Sequence, residues 1–107
     1  MMRGRNFDMY QVGYISKRVK KEINEFSKQE QRAIEEAIEE LCVNPRPLSR
    51  KYEQLWCCSE IKKIKVGRIR VFYQIDEKNS QIWIGKLDNR DSHTYKTDPK
   101  SWFQRTA

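Results

Sequence analysis

Four cations stand at alternate positions of "KKIKVGRIRVFYQI" (62–75): Lys63 and Lys65, then, beyond Gly67, Arg68 and Arg70. Period-two alternation of basic and apolar residues reads as two strands of a sheet with opposite faces of opposite character. Phe72, and Trp83 from the next strand, fall in the same alternation as the cations. Such a face suits nucleic acid: ammonium and guanidinium groups meet phosphates, and aromatic rings stack on unpaired bases. The sequence has no phosphate-cradling glycine-rich lysine loop, no paired acids and no Ser-His-Asp order, so catalysis must use Lys, Arg, Tyr or the lone His93. Such a set can cleave RNA without a metal. A base takes the ribose 2′-OH proton, cations stabilise the phosphorane, and an acid protonates the leaving 5′-oxygen. DNA lacks the 2′-OH and cannot react this way.

The cations need a sheet held from behind. Ile64, Val66, Ile69, Val71, Tyr73, Ile75, Ile82 and Ile84 supply the apolar face. A one-residue register slip would bury the lysines and arginines at several kcal/mol each, which fixes the face assignment. Upstream, "MYQVGY" (9–14) reads as a strand. Ser16 is a candidate N-cap for a helix carrying Val19 and Ile23. "SKQE" (27–30) is a capping box opening a second helix, with Ile34, Ala37, Ile38 and Leu41 on its inner face. "NPRP" (44–47) ends it. Gly67 marks a hairpin turn, "DEKN" (76–79) another, and "SQIWIGKL" (80–87) a further strand. "DPKSWFQ" (98–104) offers Asp98 as N-cap and Pro99 as first residue of a short helix that docks Trp102 and Phe103 on the body. The expected architecture is α+β: an N-terminal strand, an antiparallel helix hairpin, then a three- to four-stranded antiparallel meander with the helices on one sheet face.

At 107 residues the chain is expected to form one domain, residues 1–107. Its charge of +7 is uneven. Residues 22–40 carry seven acidic and two basic side chains, whereas residues 1–21 carry six basic and one acidic, so an acidic helix is set apart from basic surroundings. That separation suggests a polyanionic partner. Cys42, Cys57 and Cys58 are odd in number, two are adjacent, and none stands near His93, which argues against a disulfide framework and against zinc. Cys42 is expected in the core, and the other two are expected to be loop thiols. No stretch is long and apolar enough to span a membrane, and the start lacks a signal peptide's apolar segment, so a cytoplasmic protein with no cofactor is expected.

"NPRPLSRKYEQL", "KIKVGRIRVFYQI" and "IGKLDNRDSHTY" together resemble the RelE/ParE superfamily of bacterial toxins, in particular its RelE-like branch. The resemblance spans about residues 10–96. It implies a metal-independent endonuclease that cuts mRNA in the ribosomal A site and is neutralised by a cognate antitoxin. Carried over, it makes Lys63 and Lys65 the strand lysines of the active site and Arg70 the phosphate-gripping arginine. Arg90 and Tyr95 correspond to the C-terminal Arg and Tyr. Arg68, Phe72, Trp83, Lys86 and His93 are the candidate RNA contacts. Tyr95, His93 and the strand lysines all remain candidates for the general base. An unperturbed Tyr titrates near 10 and His near 6.5, and surrounding cations lower both. Two other readings stand beside this one: a DNA gyrase inhibitor like the ParE branch, and a plain RNA-binding module.

Overall fold

The computed structural model describes residues 9–89 and 97–104. Strand β1 (Gln11–Tyr14) leads into helix α1 (Lys17–Asn24) and helix α2 (Lys28–Val43). Then come the two-residue strand β2 (Glu53–Gln54), β3 (Lys62–Val66), β4 (Ile69–Asp76) and β5 (Gln81–Asn89). A 3₁₀ turn, Pro99–Phe103, follows. The strands form one sheet ordered β1-β5-β4-β3-β2. The expected meander is present as β2 to β5, and β1 joins its far side by pairing parallel with β5. Among the described residues no helix is long and apolar enough to cross a membrane.

Local chemistry accounts for the element ends. The Ser27 hydroxyl accepts the Glu30 N–H (3.1 Å), and the Glu30 carboxylate accepts the Ser27 N–H (3.2 Å), completing the capping box. Gly67 takes φ +62° as the first central residue of the β3–β4 turn, a conformation that costs glycine little. Arg68 beside it donates to Glu30 (2.9 Å), tying the hairpin turn to the start of α2. Proton loss from Glu30 is favoured by that guanidinium and by the Ser27 N–H, so its carboxyl lies below the ordinary range. Tyr73 is fully buried and donates to the Pro45 carbonyl (2.6 Å), which holds the exit of α2 against the sheet.

The main core lies between the helices and one sheet face. Val19, Ile34, Ala37, Ile38 and Leu41 meet Ile64, Val66, Ile69, Val71, Tyr73, Ile82, Ile84 and Leu87. Leu87 reaches this face because β5 bulges. Phe72 pairs with Lys86 but Tyr73 pairs with Ile84, so Gly85 is the extra residue. The bulge reverses the alternation along β5, putting Ile82, Ile84 and then Leu87 on one side. α1 seals the strand edge beyond the end of β1. Arg18 donates to the Gly85 carbonyl (2.8 Å), and the Glu22 carboxylate accepts the Leu87 N–H (2.9 Å).

A second core lies on the opposite face. Leu55, Cys58, Ile61, Phe72 and Trp102 form a buried cluster, with Phe103 packed against it. The Trp102 and Phe72 ring centroids are 4.8 Å apart. Trp102 donates its indole N–H to Thr97 (2.9 Å), and Asp98 caps the 3₁₀ turn by accepting the Lys100 N–H (3.0 Å). Cys58, expected as a loop thiol, is therefore a core residue. Cys42, expected in the core, is only half-buried.

Candidate nucleic-acid interface

The non-helical face is laid out in cross-strand rows, because paired residues share a side. One row runs Lys65–Arg70–Asp88 across β3, β4 and β5. The next runs Glu53–Lys63–Phe72–Lys86 across β2 to β5. A third holds Gln74, Trp83 and Gly13, from β4, β5 and β1. Of the residues the sequence predicts, Lys65 and Arg70 stand together in the first row and Lys63 at the near edge of the second.

Lys65 is exposed. Lys63 is only 13% exposed and its ammonium meets Glu53 at 2.6 Å. That contact holds the Glu53 carboxyl below its ordinary range, with Lys65 adding a smaller effect of the same sign. Arg70 is half-buried, with Nη2 3.4 Å from the Asn89 carbonyl and Asp88 directly across in register. A guanidinium so placed offers fixed N–H groups to an anion lying over the Lys65 row.

Four predicted contacts belong elsewhere. Phe72 is fully buried under Trp102, so it cannot stack on a base. Period two assigned its side of the sheet correctly; residues distant in sequence cover it there. Arg68 turns to the helix side and pairs with Glu30 (2.9 Å), away from Lys65 and Arg70. Lys86 shares the Phe72 row, but its ammonium bonds Glu22 (3.1 Å) and lies 5.9 Å from the Trp102 ring centroid. It serves the α1–β5 seam. Trp83 is half-buried, and a Cβ on Gly13 would stand 2.6 Å from its ring, so it packs across β1. Its row and that of Arg70 are four residues apart along β4, roughly 13 Å. Arg90, His93 and Tyr95 lie outside the described residues.

Two residues that the sequence reading did not assign share this face. Glu53 comes from a strand too short to show a period. Asp88 opposes Arg70 only because of the β5 bulge; a register counted across the β4–β5 turn sets Leu87 there, so the spacing of the two strands does not supply it.

A chain with this face has recognisable relatives. The model for the family described as ParE toxin of type II toxin-antitoxin system, parDE, matches residues 14–92. Among solved structures, the archaeal RelE–RelB complex from Pyrococcus horikoshii superimposes with a TM-score of 0.69 at 27% identity, over 78% of this chain and 97% of that one. The RelBE2 toxin–antitoxin complex from Mycobacterium tuberculosis gives 0.65 at 20% identity, over 77% and 99%. The isolated RelE toxin of Escherichia coli gives 0.64 at 18%, over 80% and 90%. No curated sequence matches the chain.

Proposed function

We propose that this chain, which belongs to the RelE/ParE superfamily of type II toxin–antitoxin toxins, cuts messenger RNA in the ribosomal A site without a metal ion. The observation that carries this reading is the Lys65–Arg70–Asp88 row, with Lys63 one residue pair further along, on the part of the face that the second core leaves open. The 2′-oxygen attacks the adjacent phosphorus, the bond to the 5′-oxygen breaks, and a cyclic phosphate and a 5′-hydroxyl result. Arg70 and Lys65 balance charge building on the phosphorane. Tyr95, His93 or a strand lysine takes the 2′-OH proton. Arg90 adds a further cation to the phosphate, and the leaving 5′-oxygen is protonated by an acid of the same group. The protein partner is a cognate antitoxin, as in the RelE–RelB and RelBE2 complexes, and its binding segment folds on binding, covering the cationic face or displacing a terminal element.

The test uses purified ribosomes stalled on a defined mRNA. The protein should cut within the A-site codon, and Arg70→Ala should slow cleavage at least a hundredfold, about 3 kcal/mol of transition-state stabilisation. Cleavage by that variant at the normal rate sinks the assignment.

A second reading is favoured by one finding: the matching family model is that of ParE. Inhibition of DNA gyrase does not require the Lys63, Lys65 and Arg70 set. Loss of gyrase supercoiling on addition of the protein, with intact A-site codons in the ribosome assay, selects it.

A further inference from the structure

Between β2 and β3 the chain turns through "WCCSE" (56–60), and Trp56 is 96% exposed. Two residues close to it in the chain are not. Leu55 and Cys58 are buried in the second core. Trp carries one of the largest apolar surfaces of any side chain, and leaving it in water forgoes the stabilisation that its burial would give. The ring also sits on a braced support. The Leu55 N–H donates to Ile61 (3.0 Å), extending the β2–β3 ladder. The Cys58 N–H donates to Leu55 (3.3 Å), and the Ile61 N–H to Cys58 (2.9 Å). Lys62 clamps the tip by donating to the Ser59 carbonyl (2.5 Å) and to Gln54 (3.0 Å).

Ammonium groups hold and flank the loop that carries this ring. Lys62, the first residue of β3, bonds the loop's Ser59 carbonyl, Lys100 is near enough to act on the Cys58 thiol, and Lys63 follows on β3. The nearby carboxylates are Glu53, engaged by Lys63, and Glu60. An exposed aromatic ring on a loop held and flanked by ammonium groups matches a nucleobase attached to phosphates. A protein partner's anchor pocket calls instead for an apolar surround that excludes water, which Ser59, Glu60, Lys62 and Lys100 do not supply. The paired residues Leu55 and Ile61 lie four strand positions from Lys65, roughly 13 Å, a span of a few nucleotides of single strand.

We propose that Trp56 is a stacking platform for an unpaired base of the RNA whose phosphate lies at Lys65 and Arg70, a few nucleotides from the bond that is cut. This rests on the endonuclease reading for the identity of the strand, and it gives Trp56 a binding role separate from the chemistry. Braced backbone and a two-torsion side chain keep the ordering cost of binding low.

Two measurements test it. In the ribosome assay Trp56→Ala should raise KM about tenfold with kcat within a factor of two, and Trp56→Phe should recover most of the loss. In a separate titration, a short unstructured oligoribonucleotide should quench the tryptophan fluorescence of the wild type, and that quenching should be absent in Trp56→Ala. An unchanged KM in Trp56→Ala, with cleavage still abolished by Arg70→Ala, overturns the stacking platform and leaves the nuclease standing. If the wild type cuts nothing, the nuclease reading fails and the quenching titration alone decides the platform. Weakened antitoxin binding by Trp56→Ala, with unchanged quenching, overturns it in favour of a protein contact. Trp56 makes no core contact, so the variants should keep the wild-type melting temperature, which is measured alongside.

Discussion

The non-helical face of the sheet divides into two regions built from the same strands. At one end Leu55, Cys58, Ile61 and Phe72 are covered by Trp102 and Phe103. At the other, Lys65 is exposed and Arg70 is half-buried beside Asp88 and Asn89. Lys63 stands at the border, mostly covered, with only its ammonium reaching out to Glu53. From Ile61, just before β3, the gradient runs through Lys63 to Lys65 on one side of the sheet. The covered end contributes stability. The cationic end gains a rigid support from it without being buried itself, which is what a phosphate-binding cluster requires.

The sharpest way to break this division is to exchange assays between its halves. Phe72→Ala removes a fully buried ring at the centre of the second core and should cost about 3–5 kcal/mol, read as a lowered urea midpoint. Lys65→Ala removes an exposed ammonium and should leave stability within about 0.5 kcal/mol. Its loss should appear in cleavage instead, at tenfold or more. If Lys65→Ala unfolds the protein, or Phe72→Ala leaves its stability unchanged, the two regions are not separate in the way described.

How much of this was legible in the sequence follows the same line. Alternation gave the side of the strand residues Lys63 to Val66 and Ile69 to Ile75, because a strand's period is local and a slip would bury cations, but not that of Arg68 in the turn between them. Whether a side is open is a non-local matter. Phe72 and Lys65 lie on the same side of the sheet, and only the return of residues 55–61 and 99–103 distinguishes them. The β5 bulge is likewise invisible in the period, and Lys86 was misassigned because Glu22 and Trp102 approach it from elements 64 and 16 residues away. The capping box at Ser27, the Gly67 turn and the Asp98–Pro99 start were legible because each is complete within four residues. The parallel pairing of β1 with β5 depends on how both helices pack, and no short stretch encodes it.

The bulge supplies an intermediate test. A Cβ on Gly85 would run into the ring of Phe103, itself packed on the second core. Gly85→Ala should therefore lift the 3₁₀ turn from the sheet and cost about 1–3 kcal/mol, measured by thermal unfolding. Trp102 should then become more exposed, with its emission shifted to the red. Gly67→Ala has open space around its Cβ but a φ of +62°, so it should cost only about 1 kcal/mol and leave Trp102 emission unchanged.

The smallest effect concerns the border residue. In the free protein Lys63 is held by Glu53, so an arriving phosphate must compete with a carboxylate for the same ammonium. Glu53→Gln removes the competitor, and RNA affinity should rise about twofold at low salt, with the gain shrinking as salt is added. Stability should move the other way. The contact depresses the Glu53 carboxyl, so its contribution is present above the ordinary value of 4.5 and is lost as pH falls through the lower folded value. Glu53 is more than half exposed, which limits that contribution to about 0.5 kcal/mol. Glu53→Gln should thus be slightly less stable than wild type at pH 7 and indistinguishable from it near pH 3, by urea denaturation at both values. A variant that binds RNA no better and loses several kcal/mol instead would move Lys63 out of the cationic region and into the covered one.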